Sequence, residues 1–188
     1  MPQALLAVDI CNTIADVNSE IKKVFGANPN PLCYLHPGVP LNFFKYNTWI
    51  FKDVMPFKGA ADILNQLANI YTIIYITARP KEAELVTLEW IEKNGFPKGE
   101  ILFSTQKHET AKHLNVMAAI EDAPHEIDSY LAAEIPVFVK RQPYNLNYQN
   151  VFDWADEKIK SFLLREALCY SERSDNIYGP QTNLLKHI

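Results

Sequence analysis

The hydrophobic positions of this chain form short runs that alternate with amphipathic segments. The apolar runs are rich in β-branched and aromatic residues, which favours buried strands. We predict strands at residues 5–9, 71–77, 101–103, 117–121 and 136–139. Alternation of such strands with helices is typical of a parallel sheet with helices on both faces. The pattern therefore predicts an α/β fold, a Rossmann-like three-layer sandwich around a central parallel sheet.

The segments between these strands have the periodicity of amphipathic helices. In residues 81–94 the period places Leu85, Leu88 and Ile91 on one face, and Gly95 is a usual helix-ending residue. A last amphipathic pattern consists of Phe152, Ala155, Ile159, Phe162 and Leu163. The remaining core helices are predicted at residues 59–67, 107–114 and 124–133.

One interval interrupts the alternation of strands and helices. About forty residues separate the first strand from the next helix–strand unit of the core, which is too long for a structureless loop in a compact domain. The interval contains several prolines and a cluster of aromatic residues that includes Phe43, Phe44 and Trp49, which either pack together or stack on a nucleobase. We predict a small helical cap with helices near residues 17–25 and 41–53. The domain boundaries are then residues 1–16 and 56–169 for the core, 17–55 for the cap and 170–188 for a polar tail.

Composition limits the classes of partner. The net charge is -4 and the sequence has no dense run of Lys and Arg. A surface for a nucleic-acid polymer or an anionic membrane is therefore not expected, whereas a small phosphorylated ligand is compatible with this charge. Cys11, Cys33 and Cys169 form no CxxC pair, and no apolar run has the length of a signal or a membrane span. We expect a cytoplasmic protein, and the sequence leaves a homodimer open.

Polar residues lie at the ends of the first four predicted strands. The first strand ends in Asp9, with Cys11 and Thr13 just beyond it, and Lys107 begins the helix after the third. Each alone could be a helix cap or a solvated charge. Parallel strands, however, end at one edge of the sheet, where such folds bind ligands. The complete set at this edge also includes Thr77, Ala78 and Arg79 after the second strand and Glu121 and Asp122 after the fourth.

These residue types suit phosphoryl transfer. A carboxylate such as Asp9 can attack phosphorus and form an aspartyl-phosphate. Mg²⁺ prefers oxygen ligands, which Asp9 and the pair Glu121 and Asp122 would supply. Thr77 and Lys107 would hold the phosphate oxygens and offset the negative charge of the ligand.

The same residues resemble the motifs of the haloacid-dehalogenase-like (HAD) superfamily. Residues 9–13, Asp-Ile-Cys-Asn-Thr, resemble its first motif, Thr77 its second, Lys107 its third, and Glu121 with Asp122 its fourth. The resemblance implies that Cys11 binds Mg²⁺ through its carbonyl, and that Thr13, Ala78 and Arg79 join Thr77 and Lys107 in contacting substrate. Residues 56–60, 76–79, 120–124 and 142–145 are most similar to the 5'(3')-deoxyribonucleotidase-like branch.

Cys11 departs from the superfamily pattern. In the phosphatases that the chain resembles, this position holds an Asp that protonates the leaving oxygen. Three interpretations remain open: Cys11 supplies only its carbonyl, its thiol is a poor proton donor, or the chain binds a phosphorylated ligand without turnover. General acid catalysis contributes roughly 10²–10⁴-fold, so its loss need not abolish activity. We predict a Mg²⁺-dependent phosphohydrolase of a small phosphate monoester such as a nucleotide, and the alternative is a catalytically weak or inactive ligand-binding relative.

Overall fold

The computed structural model describes residues 3–156, which form a six-stranded sheet. All neighbouring strands pair in parallel, in the order β3-β2-β1-β4-β5-β6. The predicted α/β fold with a central parallel sheet is therefore confirmed. The strands are β1 (Ala4–Val8), β2 (Tyr71–Thr77), β3 (Glu100–Phe103), β4 (Ala118–Glu121), β5 (Val137–Lys140) and β6 (Val151–Phe152).

Helices cover both faces of this sheet. Alternate residues of β1 enter different hydrophobic clusters: Leu6 and Val8 pack on one face and Ala7 on the other. Within residues 3–156 no helix has the length and apolar character needed to cross a bilayer. The helices are α1 (Val17–Phe25), α2 (Phe43–Tyr46), α3 (Ala60–Leu67), α4 (Glu84–Lys93), α5 (Lys107–His113) and α6 (Pro124–Ala132), and 3-10 turns lie at Thr48–Phe51 and Lys81–Ala83.

The buried face of α4 differs from the predicted face. Thr87, Trp90 and Ile91 are buried, whereas Leu85 is 68% and Leu88 48% exposed. The Trp90 indole donates a hydrogen bond to the carbonyl of Val54 at 2.7 Å, which fixes the rotation of the helix. The predicted stripe of Leu85, Leu88 and Ile91 is therefore wrong in its first two members, because a large aromatic anchor decides which side faces inward.

The predicted helix at residues 41–53 is interrupted. Asn47 separates α2 from the 3-10 turn at Thr48–Phe51. Its side-chain amide donates to the carbonyl of Phe43 at 2.9 Å, and its side-chain oxygen accepts from the Trp49 indole at 3.1 Å. Such local bonds satisfy the backbone in a non-helical conformation, which explains why the helix stops here.

Phe152 was predicted to begin a helix, and this part of the prediction is wrong. Phe152 lies in β6 opposite Lys140, and its carbonyl accepts from the Arg141 amide at 2.7 Å. Ala155 lies in an exposed turn. The rest of the predicted helix (Ile159, Phe162, Leu163), Cys169 and the predicted tail at residues 170–188 lie outside the described residues.

Candidate active site at the carboxyl edge of the sheet

The strand order brings the predicted residues to one place. β1 lies between β2 and β4, so Asp9, Thr77 and Glu121 follow or end three adjacent strands. The Asp9 amide also donates to the carbonyl of Ile120 at 2.9 Å, which continues the pairing of β1 with β4 past the end of the strand. The first, second and fourth strand ends therefore meet at the same edge.

A tight turn follows Asp9, and because of it the side chains of Cys11 and Thr13 point in different directions. The amides of Ile14 and Ala15 both donate to the carbonyl of Ile10, at 3.1 Å and 2.9 Å. Asn12 adopts a left-handed conformation with φ 59. Cys11 lines the cavity above the sheet, whereas Thr13 is fully buried beneath it.

Lys107 connects the nucleophile candidate to the acidic pair. Its ammonium lies 2.5 Å from Oδ1 of Asp9 and 2.8 Å from Oε2 of Glu121. Burial opposes the charged form of Lys107, but the two carboxylates outweigh it and raise the pKa of Lys107 well above its usual value. Lys107 is therefore a fixed cation at the centre of the site.

The acidic pair is held by protein donors on several sides. Oε1 of Glu121 accepts from the amides of Asp122 and Ala123, at 3.0 Å and 3.1 Å. Oδ1 of Asp122 accepts from the Thr13 hydroxyl at 2.8 Å, and Oδ2 accepts from the Tyr144 hydroxyl at 2.5 Å. Burial raises the pKa of both carboxyl groups, and the negative charge of Asp9 adds to this effect.

Three carboxylates in this cluster suit a metal ion. Asp9, Glu121 and Asp122 each offer an oxygen, and these oxygens lie within 4.8 Å of one another. All three residues are buried, and Lys107 is the cation that contacts Asp9 and Glu121. A hard divalent cation with oxygen ligands fits this excess of negative charge.

Cys11 and Arg79 form a second pair at the cavity wall. Nε of Arg79 donates to Sγ of Cys11 at 3.2 Å, and Nη1 donates to the Thr87 hydroxyl at 3.1 Å. The Phe51 ring lies under the guanidinium, 4.2 Å from its carbon. Burial raises the pKa of the Cys11 thiol, although Arg79 acts in the opposite direction. The thiol is therefore protonated at neutral pH.

One cavity of about 600 Å³ joins these groups to the segment between β1 and β2. Its polar end contains most of the predicted site residues, and its other walls are largely apolar. The polar end consists of Asp9, Cys11, Asn12, Thr77, Ala78, Arg79 and Lys107, and the facing wall includes Leu35, His36, Val39, Leu41, Phe44 and Phe51. Thr13, Glu121 and Asp122 lie beneath the cavity and do not line it.

Sequence reasoning gave no role to the loop after β5. In this loop Tyr144 donates to Asp122, and the Asn145 amide donates to the carbonyls of Asp122 at 2.8 Å and Lys140 at 2.9 Å. The Gln142 amide donates to the carbonyl of Asn12 at 2.7 Å. The sequence did offer one indication of this role. The loop follows β5, a further parallel strand, and therefore lies at the same carboxyl edge of the sheet as Asp9.

The fold resembles that of known HAD-like proteins. A haloacid-dehalogenase-like family hydrolase, SP0104 from Streptococcus pneumoniae, superposes with a TM-score of 0.60. The superposition covers 87% of this chain and 98% of that protein at 15% sequence identity. At this identity the likeness establishes the fold, and it confirms the predicted HAD-like architecture.

The sequence identifies the family within this class. The model of the family "5' nucleotidase, deoxy (Pyrimidine), cytosolic type C protein" (NT5C) matches residues 32–165, and this chain belongs to that family. The predicted nucleotidase-like branch is thereby confirmed. The match begins after residues 9–13, so the importance of Asp9 and Cys11 is argued from the geometry of the site.

Two similar proteins have related descriptions. A protein described as "Putative nucleotidase" from Oceanobacillus iheyensis is 30% identical over 115 residues, which are 56% of this chain and 61% of that protein. A protein described as "Nucleotidase" from Clostridium acetobutylicum is 24% identical over 178 residues, 82% of this chain and 91% of that protein. The chain spans about 60% of the length of the first curated relatives that it matches.

Proposed function

We propose that this protein is a Mg²⁺-dependent phosphohydrolase that cleaves a nucleoside monophosphate through an aspartyl-phosphate on Asp9. The observation that carries the proposal is the Asp9 carboxylate at the polar end of the cavity, held at 2.5 Å by Lys107 and within metal-binding distance of Glu121 and Asp122. The nucleotidase relatives support the choice of substrate class.

Asp9, Asp122 and the carbonyl of Cys11 are the metal ligands in this proposal. Glu121 is a weaker candidate because two backbone amides use both lone pairs of its Oε1, and its Oε2 bonds the Lys107 ammonium, whose charge would repel a metal cation. Each oxygen of Asp122 accepts one hydroxyl hydrogen and keeps a lone pair for a cation. Mg²⁺ at this position would neutralise charge on the phosphate oxygens.

The covalent step uses groups that already surround Asp9. A carboxylate oxygen of Asp9 forms a bond to phosphorus, and the bond from phosphorus to the ester oxygen breaks. Lys107 and Thr77 hold oxygens of the phosphoryl group. Water then attacks phosphorus, the bond to Asp9 breaks, and inorganic phosphate leaves. The proton that the attacking water loses balances the proton that the released ester oxygen takes up from solvent. The net reaction converts an ester and water into an alcohol and phosphate.

The cavity is large enough to hold more of a substrate than its phosphate group. About 600 Å³ lies within the usual range of small-molecule sites, roughly 300–1,000 Å³. The wall opposite Asp9 includes Phe44, Val39 and Leu41, which suit a nucleobase better than a second charge. In this proposal residues 17–55 act as a cap on the α/β core.

Cys11 favours one other candidate function. A buried thiol with a raised pKa is a poor acid, and a site without an efficient acid can bind a phosphorylated ligand without cleaving it. The alternative is therefore a nucleotide-binding protein with little or no turnover.

A steady-state assay with Mg²⁺ on p-nitrophenyl phosphate and on pyrimidine deoxynucleoside monophosphates tests the proposal. We expect turnover on the activated ester, whose leaving group needs little protonation. Asp9→Asn removes the nucleophile while keeping the shape of the side chain, and should lower kcat by roughly 10³-fold or more, as the loss of a nucleophile usually does.

Asp53→Asn is the control for this substitution, since Asp53 is exposed and pairs with Lys93 on the surface. It should leave turnover unchanged. Wild-type turnover in Asp9→Asn would refute the proposed mechanism. Ligand binding without turnover on any ester would instead support the binding-only alternative.

A further inference from the structure

Arg79 is a buried cation without a carboxylate partner in the described part of the chain. The residue is 5% exposed, and none of the ion pairs within residues 3–156 includes it. Its Nη2 is buried and makes no hydrogen bond there. A buried charge without a partner is costly, and the cation–π contact with Phe51 offsets only part of that cost. An anionic ligand is the missing partner that the cavity can supply.

The free donor of Arg79 is directed beside Cys11. In a guanidinium the Nε–H bond and one Nη2–H bond point in the same direction, which is the fork that binds two oxygens of a carboxylate or phosphate. Nε is directed at Sγ of Cys11, while Nη1 is directed elsewhere, at Thr87. Nη2 therefore points to the same side as Sγ of Cys11, and both residues line the cavity.

This side of the cavity is the side of the leaving group. In an in-line displacement the attacking and leaving oxygens lie on opposite sides of phosphorus. Asp9 attacks from the sheet edge, where Lys107 holds it. Arg79 rests on Phe51, which belongs to the segment between β1 and β2, so its guanidinium lies toward the end of the cavity that the rest of the substrate would occupy.

Resting on the proposed function, we propose that Nη2 of Arg79 donates a hydrogen bond to the ester oxygen of the substrate and stabilises the negative charge that develops there. When the bond from phosphorus to this oxygen breaks, the electron pair stays on the oxygen. Arg79 transfers no proton. The alkoxide takes its proton from water, and the resulting hydroxide is neutralised by the proton released when water hydrolyses the aspartyl-phosphate. Arg79 would thus stabilise the leaving oxygen by a charged hydrogen bond, in place of the general acid that Cys11 cannot efficiently provide.

Two esters of similar size separate this role from simple phosphate binding. p-Nitrophenyl phosphate has a stable leaving group, and benzyl phosphate has a poor one on which more negative charge must be stabilised. Arg79→Met should lower kcat/KM on benzyl phosphate by roughly 10²-fold or more, the effect of removing one transition-state donor. The loss on p-nitrophenyl phosphate should be at least tenfold smaller. The change should lie in kcat rather than KM, since the interaction strengthens in the transition state.

Two further variants make the result interpretable. Arg79→Lys keeps the buried charge but loses the fork, so it should show the same contrast between esters with a smaller amplitude, even if Arg79→Met does not fold. Arg141→Met is the control, because Arg141 is exposed and does not line the cavity. It should leave both rates unchanged.

The possible failures are distinguishable. Equal losses on both esters in Arg79→Met and Arg79→Lys would overturn the assignment of Arg79 to the ester oxygen, and leave the proposed function intact. Absence of wild-type turnover on both esters would overturn the proposed function and the role of Arg79 together.

Discussion

Two hydroxyl groups determine where the oxygens of Asp122 point. Thr13 donates to Oδ1 and Tyr144 to Oδ2, and the two donors come from opposite ends of the described chain. Burial and the charge of Asp122 raise the pKa of Tyr144, so it remains a donor over the whole physiological range. Both hydrogen bonds favour the charged form of Asp122 against the cost of burial. In the proposed metal site these hydroxyls would therefore position Asp122 as a ligand.

Tyr144→Phe should weaken Mg²⁺ binding by roughly 10–100-fold, since groups that orient a metal ligand usually have effects of this size. The measurement is the Mg²⁺ concentration that gives half-maximal activity, with calorimetric titration as a second readout. Tyr148→Phe is the matched control, because Tyr148 also donates to an aspartate, Asp128, at 2.8 Å, but in an exposed position. If the two variants require the same Mg²⁺ concentration as wild type, Tyr144 does not position Asp122.

At the level of elements, local sequence was sufficient for the five longer strands, but not for β6 or for the buried faces of the helices. β2 occupies the predicted residues 71–77, because a run of β-branched and aromatic residues has few alternatives to a buried strand. The buried face of α4 was not predictable from its hydrophobic periodicity, because it is set by a hydrogen bond from the Trp90 indole to Val54, a residue far away in sequence. The break at Asn47 likewise depends on side-chain hydrogen bonds that hydrophobic periodicity does not encode.

The start of α3 depends on Gly59. This residue has φ +84, and a Cβ there would lie 2.7 Å from the carbonyl oxygen of Trp154. Gly59→Ala should lower the free energy of unfolding by about 3 kcal/mol or more, because backbone strain of roughly 1–3 kcal/mol adds to a steric clash. Denaturant unfolding measures the difference.

Gly95→Ala is the control for Gly59→Ala. Gly95 has φ +69, but a Cβ there would meet no atom within 4 Å. Gly95→Ala should therefore introduce the backbone strain without the steric clash, and lower the free energy of unfolding by less than Gly59→Ala does. Equal losses in the two variants would mean that the contact with Trp154 has no energetic consequence. Because the Trp154 indole donates to the carbonyl of Thr13 at 2.7 Å, a shift of Trp154 should also reach Asp122 through Thr13.

For the molecule as a whole, the sequence allowed prediction of the edge at which the site lies but not of the cavity. Asp9, Thr77, Lys107 and Glu121 could be placed because parallel strands end together. The role of Tyr144 and the free Nη2 of Arg79 depend on how distant loops pack, which one sequence does not show. Composition and motifs likewise did not reveal that Cys11 has an arginine as its neighbour.

If the acidic cluster binds Mg²⁺ as proposed, metal binding should raise the stability of the whole fold. Asp9, Glu121 and Asp122 are buried together, and the ammonium of Lys107 contacts only the first two. A cation that binds the folded chain at 100 times its dissociation constant adds about 2.7 kcal/mol to the free energy of unfolding. For a chain of this size that corresponds to an increase in Tm of roughly 5–10 °C.

We expect this increase when Mg²⁺ is added with inorganic phosphate, and we expect Asp122→Asn to abolish it. Asp128→Asn should retain the increase, because Asp128 is exposed. Thermal unfolding with equal ionic strength in all samples measures the effect, and an unchanged Tm in wild type at saturating Mg²⁺ would contradict a metal site at this cluster.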